Sequence, residues 1–86
     1  MAKKTIYAEE YRELVDALRR IRKDVGLTQA SLAKALGWPQ QRLSAVESGS
    51  RRLDVMEYFV LADKLGLSPE KALSLIIQLR RSNRGR

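Results

Sequence analysis

The chain has 86 residues, which is enough for one domain with a single hydrophobic core. It contains no cysteine and no histidine, so disulfides, thiol or imidazole catalysis and the usual zinc sites are excluded. The formal net charge of +7 is concentrated at the two ends of the chain. Positions 3–4 and 80–86 hold six of the 17 basic residues, and the rest of the chain has 11 basic and 10 acidic residues. Charge alone therefore does not establish nucleic-acid binding, because basic tails also promote solubility.

Targeting and catalytic signals are weak. No apolar run approaches the roughly 20 residues that a membrane helix needs, and no apolar stretch follows the basic start as a secretory signal would require. The sequence thus predicts a cytoplasmic protein without cofactor or metal. The acidic residues are accounted for as helix caps and ion-pair partners, so no convergent carboxylate pair remains and we expect no enzymatic activity.

The first predicted helix covers about residues 7–25, where apolar side chains recur every three or four positions. Acidic residues stand near its start and basic residues near its end, as the helix dipole favours. Gly26 follows at the position of a C-terminal cap. These local signals all indicate the same boundaries.

Two short helices follow, at about 28–36 and 39–48. Thr28 is a favourable N-cap for the first of them, and Gly37 then suits a left-handed turn between the two. Pro39 suits the first helical position of the second, because its missing N–H would be unpaired there in any case.

The fourth predicted helix, at about 54–65, begins with Asp54 and Glu57 in a capping-box arrangement. We expect its inward face to comprise Val55, Phe59, Ala62 and Leu65. The fifth helix, at about 69–80, has apolar residues over an arc wider than one core face requires. This excess predicts a contact with a second copy of the chain, and the candidate dimer-interface residues are Leu75, Ile77 and Leu79. Domain bounds of 1–79 follow, with a disordered basic tail at 80–86. The fold class is all-α.

These five short helices resemble the phage repressor/Cro class of helix-turn-helix proteins, also called the xenobiotic-response-element (XRE) family. The resemblance extends from about residue 14 to residue 73. Single positions are weak evidence, but the ordered set is specific. The matching residues are Arg22, Gly26, Leu27, Thr28, Gln29, Leu32, Ala33, Leu36, Gly37, Gln40, Gln41, Leu43, Val46, Glu47 and Gly49.

The resemblance implies a five-helix lambda-repressor-like domain in which helix 39–48 is the recognition helix and lies in the DNA major groove. Helical geometry independently places one polar, acid-free arc opposite Leu43 and Val46. The predicted base-contacting residues on that arc are Gln40, Gln41, Ser44 and Ala45. Glutamine is chemically suited, since its amide can pair with N6 and N7 of adenine. The alternative is that surface glutamines only confer solubility.

Phosphate contacts are predicted around this helix, and they comprise Gln29, Thr28, Arg42, Ser48, Arg51 and Arg52. The family uses a glutamine at the position of Gln29 to touch a phosphate and support the recognition helix. The alternative for Arg51 and Arg52 is a solvated loop. Family relatives also imply a buried ion pair between Arg22 and Glu47.

The sequence therefore predicts a regulator, acting as a repressor, that binds a palindromic operator in double-stranded DNA as a homodimer. An alternative is an antitoxin that neutralises a toxin partner and autoregulates its operon. Two residues differ from the family pattern, because Pro39 replaces a capping Ser or Thr and Ala45 replaces a polar reader. The operator sequence is consequently not predicted.

Overall fold

The computed structural model describes residues 8–84, with side chains as far as Ser82. Within that range it has five α-helices and no strand, which confirms the all-α, five-helix fold. No helix in the described range is long and apolar enough to span a membrane. Tyr7, the first residue of the predicted first helix, lies outside the described residues. The helices are α1 (Ala8–Asp24), α2 (Gln29–Leu36), α3 (Gln40–Ser48), α4 (Val55–Lys64) and α5 (Pro69–Arg84).

Two helices begin with reciprocal capping boxes. The Thr28 hydroxyl accepts a hydrogen bond from the Ser31 amide, and the Ser31 hydroxyl accepts one from the Thr28 amide, both at 3.0 Å. At α4, Asp54 accepts from the Glu57 amide at 2.7 Å, and Glu57 Oε1 accepts from the Asp54 amide at 3.0 Å. Each box satisfies two amides that the helix itself leaves unpaired, so the starts of α2 and α4 are well defined.

The turn between α2 and α3 contains Gly37 and Pro39. Gly37 has φ +71°, the left-handed conformation expected there. Pro39 is extended, at φ −60° and ψ 144°, and occupies the N-cap position rather than the predicted first helical position. It supplies no side-chain cap, so α3 begins with its first amides uncapped.

The core lies where all five helices meet. α1 packs on α3 and α5, α2 packs on α3 and α4, and α4 packs on α5. The buried apolar residues with the lowest exposure are contributed by every helix, and they include Val15, Leu18, Leu32, Ala33, Leu43, Val46, Tyr58, Leu61, Ala62, Leu65 and Ala72. α3 is therefore fixed by neighbours on one side only.

The inward face of α4 differs from the prediction. Val55 is 70% exposed, while Tyr58 and Leu61 are buried beside the expected Ala62 and Leu65. The difference arises because α5 packs against the Tyr58 side of α4, where the tyrosine hydroxyl donates to Ala72 O at 2.7 Å. That contact joins two helices and has no local sequence signal.

α5 is longer than predicted. The prediction of a disordered tail from residue 80 is wrong for residues 80–84, because the helix continues to Arg84. Arg80 Nη1 lies 2.6 Å from Glu10 Oε1, so the end of α5 is joined to the start of α1. Once a helix is anchored in the core, each further residue adds at little entropic cost, and no proline or glycine interrupts residues 80–84. Residues 85–86 lie outside the described range.

Candidate nucleic-acid interface

The outward face of α3 is polar and carries no acidic side chain. Gln40, Gln41 and Ser44 are exposed and Ala45 is half-buried. Together with Gln29, Ser48 and Ser50 they line a shallow open depression. The acidic residue of α3, Glu47, is turned inward and is 8% exposed. The structure thus brings the predicted base-contacting residues together on one accessible surface.

Behind this surface, polar side chains form a connected series. Arg22 Nε donates to Glu47 Oε2 at 2.7 Å, and Arg22 Nη2 donates to Glu47 Oε1 at 3.1 Å. Gln29 Nε2 donates to the same Oε1 at 3.0 Å. Gln40 Nε2 in turn lies 3.5 Å from Gln29 Oε1. The series therefore leads from a buried ion pair between α1 and α3 to an exposed amide on the outward face of α3.

The hydroxyls predicted to contact phosphate already have partners within the protein. Thr28 is engaged in its capping box with Ser31. The Ser48 hydroxyl donates to Ala45 O at 3.1 Å and lies 3.2 Å from the Ser50 hydroxyl. Helix geometry leaves the first amides of α2, including that of Gln29, without intrahelical acceptors. A backbone amide at this end is thus better placed to bind an anion than the Thr28 side chain.

Arg42 and Arg51 converge on one carboxylate. Glu57 Oε2 accepts hydrogen bonds from Arg42 Nη2 and, at 3.0 Å, from Arg51 Nη2. Arg42 is also stacked on Trp38, with its Cζ atom 4.1 Å from the ring centroid. The hydrogen bond from the Asp54 amide lowers the pKa of Glu57, with further lowering from Arg51 and Arg42 against opposing desolvation. Glu57 is thus held in its charged form.

The loop after α3 is attached to α1 through Tyr11. Its hydroxyl donates to Arg51 O at 3.2 Å and accepts from the Leu53 amide at 2.9 Å. The Arg52 guanidinium lies over the Tyr11 ring, with Cζ 4.7 Å from the centroid. Arg51 and Arg52 therefore belong to a loop that Tyr11 attaches to α1. Both side chains remain exposed, and a cation–π contact holds Arg52 over the Tyr11 ring.

The last turn of α3 is fixed by a second contact with α1. Arg12 Nη1 donates to Ser48 O at 2.6 Å. Gly49 follows with φ +87°, and a Cβ atom placed there would lie 2.7 Å from Arg12 Nη1. The left-handed backbone favours glycine here, and a side chain at this position would displace the guanidinium end of Arg12.

The predicted dimer-interface residues have different environments on α5. Leu75 is half-buried and packs against the core. Leu79 borders an apolar groove of about 280 Å³ that also contacts Tyr11 and Leu14. Ile77 is 41% exposed, and Leu73, which was not predicted, is 51% exposed. Exposed apolar surface on α5 is therefore centred on Leu73 and Ile77.

The prediction omitted several residues that shape the interface. The sequence alone indicates only a capping role for Glu57 and no role at the candidate interface for Tyr11, Arg12 and Trp38. A tryptophan four positions before an arginine is a weak signal for stacking. The contacts of Tyr11 and Arg12 lie 36 or more positions away in sequence and had no detectable pattern. Among residues 8–84, no group of acidic side chains could hold a metal ion.

Comparison with known proteins gives consistent results. The model of a helix-turn-helix family matches residues 18–71. An uncharacterised HTH-type transcriptional regulator from Sinorhizobium fredii is 38% identical over 60 residues, which cover 69% of this chain and 78% of that protein. The structure of an XRE-family like protein from Pseudomonas syringae superposes with a TM-score of 0.81 and 33% identity, covering 91% of this chain and 92% of that one.

Proposed function

The chain belongs to the XRE-type helix-turn-helix family of transcriptional regulators, and we propose that it binds a specific double-stranded DNA operator through α3. The observation that carries this proposal is the acid-free face of α3, where two glutamine amides stand beside Gln29. Gln40 and Gln41 would reach base edges in the major groove, where an amide pairs with adenine N6 and N7. Ser44 would donate to or accept from a base, and the Ala45 methyl would contact a thymine methyl.

Phosphate contacts would place this face on the duplex. We propose that the α2 N-terminus at Gln29 binds one phosphate through its amides, with Thr28 and Ser48 at the edges of the contact. Arg51 and Arg52 would contact the flanking backbone from the loop that Tyr11 positions. Arg42 would contribute charge rather than direct contact, since it is stacked on Trp38.

We further propose that two copies bind a palindromic operator and act as a repressor. The exposed apolar residues of α5 support a homodimer, because a small domain gains stability by covering them. Two recognition helices would then lie roughly 34 Å apart, one helical turn of DNA. The comparisons do not favour the alternative of an antitoxin with a toxin partner. The proposed role involves no enzymatic step.

Selection of bound duplexes from a random pool tests the proposal directly. We expect an enriched motif with two half-sites related by a dyad and separated by about 10 base pairs. A pool without any enriched sequence would contradict sequence-specific binding. A single unpaired half-site would contradict the homodimer while leaving the role of α3 intact.

A further inference from the structure

Glu57 holds together Arg42 of α3 and Arg51 of the loop that follows it. Its Oε2 atom is shared by Arg42 and Arg51, while its Oε1 atom caps α4 at the Asp54 amide. The Glu57 side chain is 17% exposed, so water competes little for the shared oxygen. Two positive charges and one negative charge leave this Arg42–Arg51–Glu57 cluster with a net charge of +1.

The two arginines are not equally available to a phosphate. The Arg42 side chain is 31% exposed, and its Nε atom is buried without a hydrogen-bond partner among the described residues. The Arg51 side chain is 46% exposed and directly follows Ser50, which lines the polar depression beside α3. Arg51 is therefore the cation that can turn from Glu57 to a DNA phosphate.

We propose that Glu57 restrains the sequence-independent affinity of this chain for DNA by neutralising one of the two guanidinium charges that it binds, those of Arg42 and Arg51. The inference rests on the proposed function, since it concerns the same DNA-binding surface. Affinity from phosphate contacts is the same for every sequence and carries no base information. Because Glu57 reduces only the affinity from phosphate contacts, the base contacts of α3 account for a larger share of the total affinity.

Glu57→Gln is the decisive variant, because glutamine retains both the shape and the capping role while it removes the charge. On a random-sequence duplex at roughly 0.1 M salt we expect Glu57→Gln to bind about tenfold more tightly than the parent. The reason is one additional neutralised phosphate, which changes the slope of log K against log salt by about 0.9. Addition of Arg51→Gln should return both affinity and slope to the parental values.

Asp63→Asn is the matched control, because Asp63 is an exposed acid on the same helix and the net-charge change is identical. For Asp63→Asn, the slope of log K against log salt should stay within about 0.3 of the parental slope. Thermal melts of all variants establish that each remains folded. Equal slopes for Glu57→Gln and the parent, or an equal gain in Asp63→Asn, would overturn the proposal.

The choice of random DNA separates this test from that of the proposed function. A failed selection experiment would contradict sequence-specific binding, yet the salt slopes on random DNA would still decide the role of Glu57. Absence of binding to any duplex at low salt would overturn both.

Discussion

Arg22 and Glu47 are joined by two hydrogen bonds, and each side chain is only 8% exposed. We expect Arg22→Ala to lower the free energy of unfolding by about 3–5 kcal/mol, because it leaves the Glu47 charge buried without its arginine. Urea unfolding measures the change. Arg19→Ala is the matched control, since Arg19 Nε lies 4.0 Å from the same carboxylate but is 52% exposed. Its cost should be below about 1 kcal/mol, and an equal loss in both variants would contradict the assignment.

Gln40 and Arg51 should have different effects on DNA binding. Gln40→Ala should cost about 1–3 kcal/mol on the selected operator and leave binding to random DNA unchanged, because it would remove the proposed base contact. Arg51→Ala should weaken binding to both duplexes alike and flatten the salt slope by roughly 0.9. Fluorescence anisotropy on the two duplexes at several salt concentrations distinguishes them. Equal losses of Gln40→Ala on operator and random DNA would remove its role as a reader.

Gly49 combines a left-handed backbone with a close approach of Arg12. Gly49→Ala should destabilise the fold by about 1–2 kcal/mol for the backbone alone, and by more because Arg12 must withdraw from Ser48 O. Gly26→Ala is the matched control, with φ +81° and no atom within 4 Å of the added Cβ. If chemical denaturation gave the same loss at both positions, the contact with Arg12 would have no energetic role.

Tyr58 should make stability depend on alkaline pH. Burial raises the pKa of Tyr58 above its ordinary value near 10. The folded chain thus favours the protonated phenol. The contribution of this preference to the free energy of unfolding is fully present below pH 10 and is lost as the pH rises through the raised pKa. Tyr58→Phe should cost about 1 kcal/mol at neutral pH by removing the bond to Ala72 O, and should flatten the decline above pH 10. Parallel unfolding curves against pH for parent and variant would refute this coupling.

Leu73 and Ile77 stand four positions apart on α5 and so share a face. We expect Ile77→Glu to convert a dimer to a monomer in sedimentation, because it introduces a charge into an apolar contact. Val25→Glu is the control, since Val25 is 51% exposed but lies outside α5. A parent chain that is strictly monomeric at high micromolar concentration, with or without DNA, would exclude the homodimer.

Features that depend on a few adjacent residues could be predicted from the sequence. The caps at Thr28 and Asp54 and the left-handed Gly37 each need only the local chain, so their residue types identify them. The exposed glutamines of α3 follow equally from the position of Leu43 and Val46 on the opposite side of one helix.

Features that depend on how helices meet could not be predicted from residue patterns, and the Arg22–Glu47 pair between α1 and α3 was expected only because of the family resemblance. α5 extends to Arg84, and its last turns are joined to α1 because Arg80 binds the Glu10 carboxylate, 70 positions earlier in the chain. The inward face of α4 depends on which side α5 covers. The predicted apolar stripe through Val55 and Phe59 and the observed stripe through Tyr58 and Leu61 both satisfy the helical repeat. Glu57 belongs to a capping motif in sequence, but only the packed structure reveals its second function as a partner for Arg42 and Arg51.

The polar series behind α3 has one buried end and one exposed end. Arg22 and Glu47 are enclosed between helices, whereas Gln40 projects from the surface and joins the series through a 3.5 Å contact. Exchange of the exposed amide would leave the enclosed charges and their bond to Gln29 in place. If α3 reads DNA as proposed, a change of operator preference at Gln40 would therefore carry no matching loss of fold stability. On the proposed function, positions 40, 41 and 44 would be the sites at which design could redirect this scaffold to a new DNA sequence.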